Sequence, residues 1–349
     1  MSTTPGQVQR VVEEPLAIET VLPELTGKLT GMLRDLVEEV EDGDIRAELQ
    51  SAARRGSGLR EALDTYLCQS LSDHVYWIEQ EGRRKQMVLY SAPVEVAPLL
   101  RKSLFDQSPC VVMTSATLAV RDSMNYLCSR LGADECEALQ VGSPFDYARQ
   151  MRVYLAKGLP DPNDEAGFLD KGTQAVEHFL DRSKGRAFVL FTSARRMKAV
   201  AERMGPFMDE RGYTLLVQDG RLPRHAMLDQ FQRGEANVLF GLASFWMGVD
   251  VRGEALSNVI ITRLPFAVPD HPIVKARMER IREQGGDPFK EYSLPEAVLK
   301  FRQGIGRLVR TATDEGMVAI LDSRILGKWY GRYFLDSLPD CPVEAVDVP

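Results

Sequence analysis

From Gly172 to Leu321, apolar runs and amphipathic stretches alternate, and no other feature restricts the possible folds as tightly. The spacing predicts helix Gly172–Arg182 followed by strand Arg186–Phe191, helix Ala194–Arg211 by strand Tyr213–Val217, and helix Arg224–Arg233 by strand Asn237–Ala243. Strand Ser257–Thr262 comes next, and helix Leu294–Arg310 leads to strand Gly316–Leu321. Short Val/Ile/Leu-rich strands set between helices indicate a parallel sheet with both faces covered. The expected fold class is therefore α/β, a doubly covered parallel sheet.

The rest of the chain reads differently. Residues 1–72 carry apolar positions at helical spacing, Ile18, Val21, Leu22, Leu25, Leu29, Met32, Leu33, Leu36 and Val40, followed by an acidic run around Gly43. Further helices are expected near Ile45–Arg55 and Leu59–Leu71, separated by Gly56-Ser57-Gly58. From His74 onward, HVYWIEQ and KQMVLYSAP read as strands, Val94–Leu104 as a helix, and CVVMTSATL as a buried strand ending in hydroxyls.

Charge and cysteine content narrow the class. The net charge of −7 excludes a bulk basic nucleic-acid binder. Residues 1–72 hold 13 acidic and 7 basic side chains, so the excess sits there, and a polyanion site belongs in the second part as a local patch. Cys68, Cys110, Cys128, Cys136 and Cys341 show neither a CxxC pair nor metal-ligand spacing, which fits reduced thiols. The amino terminus has no apolar core of a signal peptide, and no apolar run approaches membrane-spanning length, so a cytoplasmic location is expected.

In an open α/β sheet, ligands sit beyond the carboxyl ends of the strands. Thr192-Ser193 follows FVLF at a helix start, where hydroxyls cap the helix or hold a backbone phosphate. After NVLFGLA comes SFWMGVDVRGE. Gly248 and Asp250 suit a structural turn, or a ribose or a metal-bound water. Phe245 and Trp246 suit either the core or a stacking surface for a base. Arg263 follows VIIT and is placed for a phosphate or an ion pair. Ser115 and Thr117, in TSATL, offer hydrogen bonds without bulk. Finally, in Phe301–Arg310, a continuous helix would bring Gln303, Arg307 and Arg310 onto one face, with Gly306 adding no bulk beside Arg307. Two guanidiniums and an amide there suit either a sensor for a nucleotide's terminal phosphate or a solvated face.

The order of these signals is specific: TSATL, LFTS, SFWxGVDxxGExL, LPFxxPxxP, then QxxGRxxR before a strand ending in LDSR. This order resembles the carboxyl-terminal half of a superfamily 2 helicase of the DinG/XPD-like family, over roughly residues 75–338 and including KWYGRYFLDSLP. The resemblance implies RecA-like motor domains and a 5′→3′ ATP-dependent DNA helicase. Ser115 and Thr117 would lie in motif III, which couples nucleotide state to DNA grip. Thr192 and Ser193, with Trp246 and Arg263, would line single-stranded DNA. Gly248 and Asp250 would lie in motif V, and Gln303, Gly306, Arg307 and Arg310 in motif VI. Arg307 and Arg310 are then arginine-finger candidates, a device worth about 10³–10⁵ in turnover in related phosphoryl-transfer systems. Met247 stands where many relatives carry Glu.

One half of that family's machinery has no counterpart. The sequence contains no GxxxxGK(S/T) loop, and its one DEAx match, Asp164-Glu165-Ala166-Gly167, falls in a Pro-rich loop between motifs III and IV, the wrong order for a Mg²⁺-holding motif. The family's four-cysteine iron–sulfur cluster also falls in that half. The resemblance therefore divides the chain into an insertion-derived helical segment (1–72), the last strands of a first motor domain with a connector (73–145), and a second motor domain (146–349). ATP and Mg²⁺ would be held mainly by a P-loop half in cis or in trans, with single-stranded DNA, or duplex DNA bearing a 5′ tail, as the substrate. The competing expectation is a non-catalytic DNA-binding or regulatory module that works with a partner.

Overall fold

The computed structural model describes residues 9–16, 20–81, 86–117, 119–120, 123–246 and 255–349. Their contacts divide them into a smaller unit, Gln7–Val96 with Pro269–Arg280, and a larger one, Ala97–Val268 with Ile281–Pro349.

In the smaller unit the acidic stretch forms two packed helices, Leu22–Glu39 and Gly43–Cys68. Ile18, expected at the start of the helical spacing, lies outside the described residues. The Asp42 carboxylate starts the second helix by accepting the amides of Asp44 (2.9 Å) and Ile45 (3.1 Å). The break expected at Gly56-Ser57-Gly58 does not occur, and the helix runs through it. Gly56 has a packing role instead: a Cβ there would lie 2.4 Å from the Thr30 hydroxyl, so the glycine lets the two helices approach closely. Leu22, Leu25, Leu29, Met32 and Leu36 of the first helix remain exposed. Strands Gln9–Val11 (β1), His74–Glu81 (β2) and Gln86–Pro93 (β3) form an antiparallel sheet in the order β1-β2-β3. Within it the buried Trp77 of β2 stacks on Tyr90 of β3, and the buried His271 meets the Trp77 ring edge-on.

The larger unit holds the expected parallel sheet. Its seven described strands are Met151–Lys157 (β4), Ala187–Leu190 (β5), Thr214–Val217 (β6), Asn237–Gly241 (β7), Asn258–Ile261 (β8), Gly316–Ile320 (β9) and Val343–Asp347 (β10). They lie in the order β10-β4-β9-β8-β5-β7-β6, every pair parallel. Alternate residues feed two cores, as strand periodicity requires. Phe188, Leu190, Val259 and Ile261 meet Phe245, Trp246, Phe301 and Ile305 on one face. Ala187, Val189 and Ile260 meet Val176, Phe179, Met197 and Val200 on the other. The register pairs Leu190 with both Gly241 and Ile261, and Ile261 with Ile320, so the segments leaving β5, β7, β8 and β9 emerge along one edge.

Two further expectations fail. Residues 110–117 are irregular, with Val112 82% exposed, and are not a buried strand. A strand needs hydrogen-bonding neighbours, and none of the described strands pairs with this segment. In addition, the helix from Leu294 stops at Ile305 and does not continue to Arg310.

Candidate functional site

The end of that helix organises the first part of the site. Gly306 caps the helix, and the Asp314 carboxylate fixes the next turn, accepting the amides of Arg310 and Thr311 (both 2.9 Å) and the Thr311 hydroxyl (2.7 Å). Gln150 braces the turn from β4's side, its amide donating to the carbonyls of Thr311 (2.9 Å) and Asp314 (2.8 Å). Burial pushes the Asp314 carboxyl up, but the Thr311 hydroxyl, the two amides and the nearby Arg310 outweigh it and hold the group below the usual carboxylate range.

Because the helix ends here, Arg307 does not share an exposed face with Gln303 and Arg310. Arg307, Leu308 and Val309 are all buried, whereas Gln303 and Arg310 are half-buried and Gly306 is exposed. The Arg307 guanidinium donates to the carbonyl of Trp246. Burial, together with the charges of Arg310 and Arg224, lowers its pKa to about 10. The charges of Arg224 and Arg310 thus lie near enough to Arg307 to act on it.

Arg224 was not anticipated from the sequence. It opens the helix Arg224–Arg233 with its guanidinium 5.6 Å from the Phe245 ring centre. A cation in the first turn of a helix opposes the helix dipole, and that mismatch is the signal that could have found it.

Trp246, expected as a possible stacking surface for a base, is corrected to core. It has no exposed surface, and its indole N–H donates to the Phe191 carbonyl at 3.3 Å. Gly304 lies against its ring, where a Cβ would come within 2.9 Å. Gly248 and Asp250 lie outside the described residues.

The second part follows β5, β8 and β9. Ser193 caps the helix Ala194–Arg203, accepting the Arg196 amide at 3.3 Å, with Thr192 half-buried beside it. The buried Arg196 side chain pairs with Glu165 (2.6 Å), donates to the Pro162 carbonyl (2.7 Å) and lies over the Phe168 ring. Arg263 donates to the Asn163 side chain at 2.7 Å. Burial lowers its pKa, as do the charges of Arg324 and Arg196. Arg324 forks onto the fully buried Asp322 (2.6 and 3.0 Å), which also accepts the Leu264 amide at 2.8 Å. Thr192, Ser193 and Arg263 are thus brought to one strand edge, joined by Arg196 and Arg324, which the sequence reading did not single out.

Ser115 and Thr117 sit in the exposed irregular segment, where the Thr117 amide reaches the Ser115 hydroxyl at 3.4 Å. Just beyond them, the Ala119 carbonyl accepts Arg302 of the helix Leu294–Ile305.

A parallel sheet with helices on both faces, whose strand ends present arginines and hydroxyls, is the architecture of a RecA-like helicase domain. Residues 176–341 match the family described as the helicase C-terminal domain. The chain is 39% identical over 267 residues to the ATP-dependent DNA helicase YoaA of Haemophilus influenzae, covering 76% of this chain and 41% of that protein. It is 38% identical over 279 residues to the 3'-5' exonuclease DinG of Bacillus subtilis, covering 78% of this chain and 30% of that protein. The fold is similar to that of Xpd4 from S. tokodaii, with a TM-score of 0.57 at 15% identity, covering 98% of this chain and 62% of that one. The chain thus carries a helicase C-terminal domain, is homologous to the YoaA and DinG proteins over 76% of its length, and spans less than half the length of these curated relatives.

Proposed function

We propose that the chain is the carboxyl-terminal part of an ATP-dependent 5′→3′ DNA helicase, supplying arginine fingers and part of the single-stranded DNA track. The observation that carries this reading is Arg307 held inward by the Trp246 carbonyl, with the half-buried Arg310 three residues on, at the end of the helix that bears Gln303. Guanidiniums fork onto phosphate oxygens, so Arg307 and Arg310 together suit a nucleotide's terminal phosphates. ATP would supply the phosphoryl group. Arg307, held by the Trp246 carbonyl, and the more accessible Arg310 would neutralise charge developing on it, with Gln303 orienting at the helix end. Mg²⁺ is assigned with the P-loop, and with any iron–sulfur cluster, to the half that the chain would join.

In this reading residues 1–72 derive from the insertion before motif III, 73–145 from the end of the first motor domain, and 146–349 form the second. Single-stranded DNA would follow Thr192, Ser193 and Arg263, with Ser115 and Thr117 contributing from the first motor domain's side. The purified chain is expected to show no DNA-stimulated ATP hydrolysis alone and to gain it when combined with the P-loop half of a DinG-like relative. In that combination Arg310→Ala removes turnover and leaves nucleotide binding largely intact. Appreciable DNA-stimulated hydrolysis by the chain alone overturns the proposal.

A further inference from the structure

Cys128 and Cys136 bring their sulfur atoms to 3.4 Å. Cys128 lies on the helix Asn125–Leu131, half-buried, and Cys136 follows the turn after it, exposed. The backbone between them is tied down. The Ala133 amide donates to the Cys128 carbonyl (2.8 Å), the Gly132 amide to the Ser129 carbonyl (3.2 Å), and the Cys136 amide to the Ala133 carbonyl (3.1 Å). Asp134, within the turn, pairs with Arg101 at 3.3 Å. The sulfurs therefore meet because a fixed turn presents them to each other. A disulfide needs about 2.05 Å between sulfurs, so closure asks for a shift of about 1.4 Å, within reach of side-chain rotation.

We propose that Cys128 and Cys136 form a reversible intramolecular disulfide on exposure to a hydroperoxide. The exposed Cys136 thiol releases its proton, its thiolate attacks a peroxide oxygen and breaks the O–O bond to give a sulfenic acid, and the departing hydroxide takes up that proton as water. The Cys128 sulfur then attacks the Cys136 sulfur, forming the S–S bond, and the departing hydroxide takes the Cys128 proton as a second water. Two thiols are oxidised, one peroxide is reduced and two waters form. A dithiol reverses the step by exchange.

The location gives the bond something to act on. On the same helix, the Tyr126 hydroxyl donates to the Glu296 carboxylate at 2.6 Å, and the Arg130 guanidinium lies 5.5 Å from the Tyr292 ring centre. Cross-linking the carboxyl end of Asn125–Leu131 to its turn thus stiffens the element that grips the helix carrying Gln303.

The test is thiol titration and peptide mapping of the full chain before and after mild hydrogen peroxide treatment. Two of the five titratable thiols should disappear and return with dithiothreitol, and the map should contain one linked peptide joining Cys128 to Cys136. Cys136→Ser and Cys128→Ser should each abolish that peptide, whereas Cys341→Ser should leave it. Thiol loss without the linked peptide, or linkage through Cys68 or Cys110 or between chains, overturns the proposal.

Discussion

Replacing Arg307 by Met tests whether this guanidinium is held for the fold or against it. Burial and the neighbouring Arg310 and Arg224 charges lower its pKa well below the ordinary guanidinium value, to about 10. That gap corresponds to about 3 kcal/mol of folding free energy withheld while the side chain is charged. The sign follows from linkage. A base whose folded pKa is depressed carries its penalty in full below about pH 10 and sheds it as the pH rises toward the unfolded value, so the penalty is complete at neutral pH. Against it stands the hydrogen bond to the Trp246 carbonyl, whose loss costs about 1–3 kcal/mol if the oxygen finds no new donor. The two terms nearly cancel, and Met fills much of the same volume. Arg307→Met should therefore change stability by no more than about 1–2 kcal/mol in urea unfolding at neutral pH. Phe301→Ala, at a fully buried position on the same helix, should cost about 3–5 kcal/mol in the same assay. Inorganic triphosphate should raise the midpoint of the parent chain more than that of Arg307→Met. If Arg307→Met loses as much as Phe301→Ala, the guanidinium is a structural group, and the strain argument is wrong.

Other consequences can be checked with the same chain. Gly304→Ala would bring a Cβ to 2.9 Å from the Trp246 ring and should destabilise by about 1–3 kcal/mol, read as a lower urea midpoint. Asp314→Ala removes the acceptor for two amides and a hydroxyl and should cost about 1–2 kcal/mol at neutral pH. Because the folded Asp314 carboxyl is held below its ordinary value of 3.8, its stabilisation is present above that value and is lost as the pH falls further. The variant's stability should accordingly fall less steeply than the parent's below pH 3.8. Arg263→Gln should weaken single-stranded DNA binding uniformly across sequences and reduce the salt slope by about 1, measured by fluorescence anisotropy at several salt concentrations.

The sheet was legible because its strands are buried on both faces and so read as short continuous apolar runs. Each residue of Ala187–Leu190 and Asn258–Ile261 is buried. What eluded the pattern was decided by partners distant in sequence. The run around Val111 and Met113 looks like a strand, but pairing is not a local property, and none of the described strands takes it up. Gly56-Ser57-Gly58 looks like a break, but Thr30 on the neighbouring helix gives Gly56 a reason to stay helical. The end of the helix Leu294–Ile305 was hidden in another way. Ile305, Leu308 and Val309 keep helical spacing, and the residue that fixes the turn, Asp314, lies beyond the apparent helix.

That misreading bears on the site itself. A helix continued to Arg310 would have set Gln303 and Arg310 about 10 Å apart along its axis, with Arg307 exposed between them. Ending at Ile305, the chain instead folds Arg307 inward onto the Trp246 carbonyl and leaves Arg310 half-buried. One arginine is thereby fixed by the core while its neighbour keeps access to solvent. Under the proposed function, a phosphate approaching Arg310 would meet a second guanidinium already positioned by the core, so less side-chain entropy would remain to be lost on binding.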